Sequence, residues 1–260
     1  VPLGLDPQNL PAKTCTYPTD DDHRLRVLAI GRLTYYKGLE YLIRAASMTP
    51  DAVFHLVGSG ELETSLKRLA TELGYRHSAL GLNVKVRGGA YGNLTLSRHP
   101  LRRVRNVDLT IPPKKRRSGL VVDVMAGPPH GWRIANVHLG LLHLERSVQV
   151  RRLMRHLFED AEPDQPLVVL GDWNDWRSKL VRAVMSEWGF HIARSDHRPY
   201  GEKTFPSRKP LISLDKIVYR DPVVCHHVVC VLNRVTQVTS DHLPLIVELE
   251  APEEVTQEPL

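Results

Sequence analysis

Four short motifs in this 260-residue sequence place ionisable side chains where an otherwise apolar run begins or ends. Pro166-Leu-Val-Val-Leu170 runs into Gly171-Asp172-Trp173-Asn174, and Asn136-Val137-His138-Leu139 closes another run. Ser213-Leu214-Asp215-Lys216-Ile217 lies within a third run, and Ser240-Asp241-His242 precedes a fourth. Residues two apart on a strand share a face, so Asp172 and Asn174 offer two oxygen donors at the strand's C-terminal mouth. Hard divalent cations take such oxygens and keep several waters, so one or two carboxylates and an amide suffice. Taken singly, an Asp-x-Asn after a strand is also a capped turn, His138 a satisfied core histidine, and Asp215 an edge-strand surface residue. Together they change the reading, because burying each is costly without a partner. A histidine paired with a carboxylate can serve beside such a cation as a base of near-neutral pKa.

The elements that must position these residues are legible in the periodicity. Residues 1–24 are rich in Pro, Asp and Thr and read as a loop or linker. Arg26–Ile30 and Ala52–Val57 read as strands, with helical spacing over Gly38–Ala46 and Leu62–Leu73, which makes a βαβα unit with a parallel strand pair. From Val84 the rhythm changes, and Gly92–Ser97, Val104–Ile111, Gly119–Met125 and Arg133–His138 read as a meander. Helices are expected over Leu144–Phe158 and Lys179–Trp188, with strands over Pro166–Leu170, Leu214–Tyr219, Val223–Leu232 and Leu243–Leu249. The acidic end, 251–260, reads as a disordered tail. The fold class expected is α/β, a layered α/β sandwich with an N-terminal Rossmann-like unit.

Composition narrows the class. A chain 42% hydrophobic can bury a substantial core. No apolar run reaches the roughly 18 residues needed to cross a bilayer, and no basic stretch followed by an apolar core opens the chain. A monomer in the cytoplasm is therefore the expectation, with a first residue Val1 that suggests a fragment or processed product. Three cysteines, Cys15, Cys225 and Cys230, lack metal-site spacing and read as reduced thiols. The formal charge of +6 is concentrated, since Val84–Ser118 holds ten Lys or Arg against Asp108 alone. Such a block can draw in a polyanion or an anionic membrane surface, or can be a solvated hairpin with a basic tip. Trp173 and Trp176 flank the proposed oxygen site and can stack on a base or headgroup or pack beneath the loop.

Six motifs, in order and spacing, resemble those of the endonuclease/exonuclease/phosphatase family, to which deoxyribonuclease I belongs. They are Gly92-Asn-Leu-Thr-Leu-Ser-Arg98, Asn136-Val-His-Leu139, Glu145-Arg-x-x-Gln149, Gly171-Asp-Trp-Asn174, Ser213-Leu-Asp-Lys-Ile217 and Ser240-Asp-His242, within residues 83–250. The resemblance implies a layered α/β sandwich and Mg2+- or Mn2+-dependent hydrolysis of a phosphate ester. By it, Asp172, Asn174 and Asp241 are metal or water ligands and His242 is the general base, oriented by Asp215. His138 contacts the scissile phosphate, and Asn93 and Arg98 bind substrate. The substrates implied are nucleic acid, a phospholipid headgroup or a small phosphodiester.

The first 75 residues depart from that family. Val1-Pro-Leu-Gly-Leu-Asp6, Gly31-Arg-Leu-x-x-x-Lys-Gly38 and Leu56-Val-Gly-Ser-Gly-Glu61 resemble the opening of the nucleotide-binding domain of family 4 glycosyltransferases. That resemblance implies donor-phosphate contacts from Arg32 and Lys37, although Gly58-Ser-Gly60 is equally a common tight turn. The phosphoesterase family normally opens with strands ending in Asn and in Gln-Glu; Gly31 stands where that Asn would fall, and no Gln-Glu matches. Both families open βαβα, so the chain reads as a chimera: 1–75 glycosyltransferase-like, 76–250 phosphoesterase-like, 251–260 tail. Glu61, with Glu63 behind it, is the candidate replacement ligand, or else an ordinary acid at a helix N-terminus. A module that binds phosphate without turnover and a remnant that binds a nucleotide sugar are the alternatives.

Overall fold

A computed structural model of the chain describes residues 24–30, 52–56, 75–86, 89–234 and 236–251. The helices expected over 38–46 and 62–73, Arg32, Lys37, Glu61 and residues 252–260 of the expected tail lie outside the described residues, whereas Ala251, expected to open that tail, is buried in the core.

Two six-stranded sheets stack face to face. The first contains β1 (Arg24–Ile30), β2 (Ala52–Leu56), β3 (His77–Val86), β4 (Gly89–Ser97), β11 (Val224–Cys230) and β12 (Leu245–Glu250), in the order β11-β12-β1-β2-β4-β3. The second contains β5 (Leu101–Asp108), β6 (Ser118–Val124), β7 (Trp132–His138), β8 (Leu167–Asp172), β9 (Phe190–Ile192) and β10 (Asp215–Arg220), in the order β5-β6-β7-β8-β10-β9. Helices α1 (His143–Phe158) and α2 (Lys179–Trp188) cover the outer face of the second sheet, and a single turn, α3 (Thr236–Thr239), precedes β12. This is the layered α/β sandwich expected. β1 and β2 pair in parallel, as the sequence indicates, and stand in mid-sheet between β12 and β4.

Strands β6, β7 and β8 are buried on both faces and therefore read as nearly continuous apolar runs. Leu120, Val122, Ile134, Val168 and Leu170 point inward against Leu245, Val247 and Leu249 of the opposing sheet. The alternate residues Val121, Ala135, Val137 and Val169 meet Val150, Leu153 and Leu157 of α1 and Leu180, Val181 and Val184 of α2. The expected four-strand meander is corrected. β4 pairs with β2 and β3, and the chain crosses to the second sheet before β5, so only β5-β6-β7 is a meander. Alternation marks a strand but carries no information about its partner. Strands β3 and β9 were not legible, the first broken by Gly81 and Asn83, the second only three residues long.

Gly171 fixes where β8 delivers its acidic end. Its φ is +132°, and a β-carbon there would lie 2.0 Å from the Val137 carbonyl oxygen of β7. Gly171→Ala is expected to lower stability by at least about 3 kcal/mol, from strain plus overpacking, measured by urea unfolding. A loss under about 1 kcal/mol would show that β7 and β8 can separate there without cost.

Candidate active site at the carboxyl ends of β7 and β8

Strand register brings the separate motifs into one row. His138 of β7 lies opposite Asp172 of β8, and Asp172 lies opposite Asp215 of β10. Adjacent strands are about 4.8 Å apart, so residues in one row are side-chain neighbours. His138 Nε2 lies 3.6 Å from Asp172 Oδ2. The imidazole of His242 reaches in from the loop before β12, with Nδ1 2.7 Å from Asp215 Oδ2. A carboxylate only accepts, so Nδ1 donates to Asp215 and Nε2 is left to handle a proton.

The loop carrying His242 is tied to the site by a segment that sequence reasoning passed over. Buried Thr204 accepts from the Asp215 amide through Oγ1 at 3.3 Å and from the Leu243 amide through its carbonyl at 2.8 Å. The Ser207 amide donates to the Asp241 carbonyl at 2.8 Å, and the His242 amide donates to Ser240 Oγ at 3.1 Å. Phe205 then packs against His242, tilted 51° with 5.0 Å between ring centroids, and Trp176 meets Phe205 edge-on at 5.9 Å. Trp173, by contrast, is fully buried, so packing is its role, while Trp176 is half exposed beside the site. A Thr-Phe pair between two turns gives no periodic signal by which it would be noticed.

Asn174 holds the left-handed conformation at φ +48°, its amide donating to Asp172 Oδ1 at 2.9 Å. Its Nδ2 donates to the Leu139 carbonyl at 2.9 Å, which leaves its side-chain oxygen as the donor available to a cation. The loop that carries Leu139 onward from His138 is held from beneath by α1. Gln149 Oε1 accepts from the Gly140 amide at 2.8 Å, Arg146 Nη1 donates to the Leu141 carbonyl at 2.5 Å, and Glu145 accepts from Gln149 at 3.3 Å. The Glu145-Arg-x-x-Gln149 motif therefore positions the His138 loop.

Not every expected residue joins the row. Asp241 is exposed, and its charge acts on His242. Asn93 lies in the seam between the sheets, where its Nδ2 donates to the Ser118 and Asn136 carbonyls at 2.9 Å, fastening β4 to β6 and β7. Arg98 follows the C-terminal end of β4, about 16 Å along the strand from Asn93, with its guanidinium 4.8 Å over the ring of Tyr75. Arg117, seen in the sequence only as part of the basic block, is brought close enough for the charges of Asp172 and Glu145 to act on it, and its Nε is buried without a hydrogen-bond partner. A groove of about 620 Å³ between Arg103, Arg105 and Asp160 lies toward the opposite end of the second sheet.

The electrostatics of the row fit a cation. Burial, and then the charge of Asp215, push Asp172 up to about 7, with His242 and Arg117 pulling the other way. Burial alone would lower His242, but the charge and hydrogen bond of Asp215, helped by Asp172 and Asp241, raise it to about 9. The Asp172 carboxylate and the side-chain oxygen of Asn174 are hard oxygen donors of the kind that Mg2+ or Mn2+ takes. Among the described residues no group of three or more His, Cys, Asp and Glu stands ready to enclose a metal.

These shifts set the pH response of the metal-free protein. Folded His242 holds its proton more tightly than the unfolded residue, so its stabilisation is complete below pH 6.5 and lost as pH rises through about 9. Asp172 behaves likewise between 3.8 and about 7. In EDTA, Asp215→Asn is expected to lower Tm most near pH 6 and least near pH 9. A Tm gap between variant and wild type that stays constant over this range would show that Asp215 does not hold the histidine proton.

With the geometry established, comparison identifies the class. The chain belongs to the Endonuclease/Exonuclease/phosphatase family, whose sequence profile matches residues 19–242. Its profile therefore begins well before the first motif at Gly92. The Escherichia coli K12 protein YbhP, described as uncharacterized, is 32% identical over 177 residues, 66% of this chain and 67% of YbhP. An uncharacterized glycosyltransferase of Methanocaldococcus jannaschii, MJ1607, is 42% identical over 65 residues, 24% of this chain and 16% of that protein, a short match in keeping with the glycosyltransferase-like opening. The crystal structure of ANGEL2, a 2',3'-cyclic phosphatase, superposes with a TM-score of 0.72 at 14% identity, covering 87% of this chain and 95% of that one, and so shares the fold.

Proposed function

We propose that the chain is a Mg2+- or Mn2+-dependent phosphoesterase whose chemistry is carried by His242, Asp215, Asp172, Asn174, Asp241 and His138. The observation that supports this most is the His242–Asp215 pair, 2.7 Å apart, beside the Asp172 carboxylate that burial and Asp215 push up to about 7. Asp172, Asn174 and Asp241 would hold the cation, with Glu61 as the further candidate. Such a cation neutralises charge on the phosphoryl oxygens. Asp215 fixes the ring through Nδ1, and a cation held by Asp172 would offset the carboxylate charge that raises His242 to about 9, so that Nε2 can take a proton from the attacking water. His138 would donate to a phosphate oxygen, and Arg117, whose charge reaches Asp172, would add positive charge there. Residues 76–250 would carry this machinery, and the glycosyltransferase-like opening would supply β1 and β2, strands that the family profile from residue 19 onward also spans. Family membership and the phosphatase fold neighbour support phosphoester hydrolysis, with the substrate class left at nucleic acid, headgroup or small phosphodiester.

Hydrolysis of bis-p-nitrophenyl phosphate with Mg2+, Mn2+ or EDTA tests the reading. Turnover that needs metal and stops in EDTA is expected. No turnover with any metal, in a folded protein, would favour the second reading, a module that binds phosphate without cleaving it. The missing Gln-Glu is the observation that speaks for that reading.

A further inference from the structure

The first turn of α1 is inside out. Three of its polar residues face inward, Glu145 8%, Arg146 5% and Gln149 0% exposed, because they are engaged in holding the loop after His138, while His143 stays exposed. Its apolar residues face solvent: Leu141, Leu142, Leu144 and Val148 are all exposed, Leu144 to 80%. Exposed leucines are ordinary when scattered, but here four apolar side chains lie within eight residues on a rigidly supported loop and helix end. The support matters, since a loop held by three buried polar side chains cannot fold its leucines inward.

Beside this knuckle rises a basic turn. The β5–β6 connection, Leu109 to Arg117, leaves the same end of the second sheet as the His138 loop, since Asp108 pairs with Ser118 and Gly119 pairs with Val137. It carries Lys114, Lys115 and Arg116, all exposed, and no acid. Arg152 of α1 ties it down by donating to the Asp108 and Thr110 carbonyls at 3.1 and 3.3 Å. Trp176, half exposed, marks the other side of the site. A site mouth edged by leucines, a tryptophan and a cationic turn has the apolar and cationic complement of a surface that is apolar at acyl depth and negative at headgroup depth.

We propose that this rim, Leu141, Leu142 and Leu144 with Lys114, Lys115 and Arg116, docks the protein on an anionic phospholipid bilayer, the leucines entering the acyl boundary. The site mouth then faces the headgroup layer. Docking is a binding property and stands apart from the hydrolysis proposed above.

The full chain, in EDTA and without substrate, is co-sedimented with vesicles of phosphatidylcholine alone or with 30% phosphatidylglycerol, a composition chosen at roughly the anionic fraction that gives a strong surface potential. Binding to the anionic vesicles only is expected. Lys114→Gln/Lys115→Gln/Arg116→Gln should weaken it about 100-fold, and Leu141→Ser/Leu144→Ser at least about tenfold. All five positions are exposed, and unchanged thermal melts would confirm that the variants fold. Equal or absent binding to the two vesicle types overturns the proposal, as does binding insensitive to the leucine changes. A vesicle-independent dimer abolished by Leu144→Ser would assign the rim to a second copy instead. Retention on single-stranded nucleic acid, lost with the cations while vesicles are ignored, would assign it to a polyanion.

Discussion

Alanine in place of His242 is expected to reduce kcat for phosphodiester hydrolysis about 10²–10⁴-fold, the usual contribution of a positioned general base. The effect follows from geometry. His242 is joined to Asp215 through Nδ1 at 2.7 Å, and it reaches the row of Asp172 and His138 from a loop pinned by Thr204 and Ser207. Its ring is only partly buried, packed on Phe205, so its removal leaves both cores intact and the loss should fall on kcat. Asp215→Asn keeps the imidazole but removes the charge that orients it, and an intermediate loss of about 10–100-fold is expected. Steady-state kinetics on bis-p-nitrophenyl phosphate read both variants. Activity within threefold of wild type in His242→Ala would place the base elsewhere and remove the main support for the hydrolytic reading.

How much of this site was legible in the sequence depended on which direction along the backbone carried the signal. Strand ends are written along the chain: an apolar run that stops at Gly171-Asp172, or at His138, announces where a functional side chain sits. What lies across the chain is not written. That His138, Asp172 and Asp215 share one row depends on the β7–β8 and β8–β10 registers, and nothing in the separate motifs states them. Asn93 and Arg98 show the converse. They share one motif, yet five residues of extended backbone separate them, Asn93 at the middle of β4 in the seam behind the site and Arg98 just past its end over Tyr75. Arg117 and Thr204 were missed because a basic turn and an irregular segment carry no period. The meander was overextended for the same reason, since a strand's alternation does not say which sheet it joins.

Arg133 gives the largest expected effect on stability, at a position the sequence presents only as the start of an apolar strand. Its side chain is fully buried and faces Asp123 in register across β6 and β7, with Nε and Nη2 2.8 and 3.0 Å from the two carboxylate oxygens. The same guanidinium donates to the carbonyls of Leu157 at 3.2 Å, Glu159 at 2.7 Å and Asp160 at 3.2 Å. One cation thus pairs a buried acid and caps the C-terminal carbonyls of α1, where the helix dipole is negative. Arg133→Ala strips all of these partners at once and leaves Asp123 buried without its bidentate partner, for a loss of about 3–5 kcal/mol. Asp123→Asn alone should destabilise less, because the amide still accepts and the carbonyls keep their donor. Asp123→Leu/Arg133→Met should recover part of the loss, since removing both charges also removes their desolvation penalty. Urea unfolding of the three variants measures the coupling. A loss below about 1 kcal/mol in Arg133→Ala would mean that water enters to replace the guanidinium. The site lies at the other end of β7, so at temperatures where Arg133→Ala stays folded its kcat should match wild type, separating stability from chemistry.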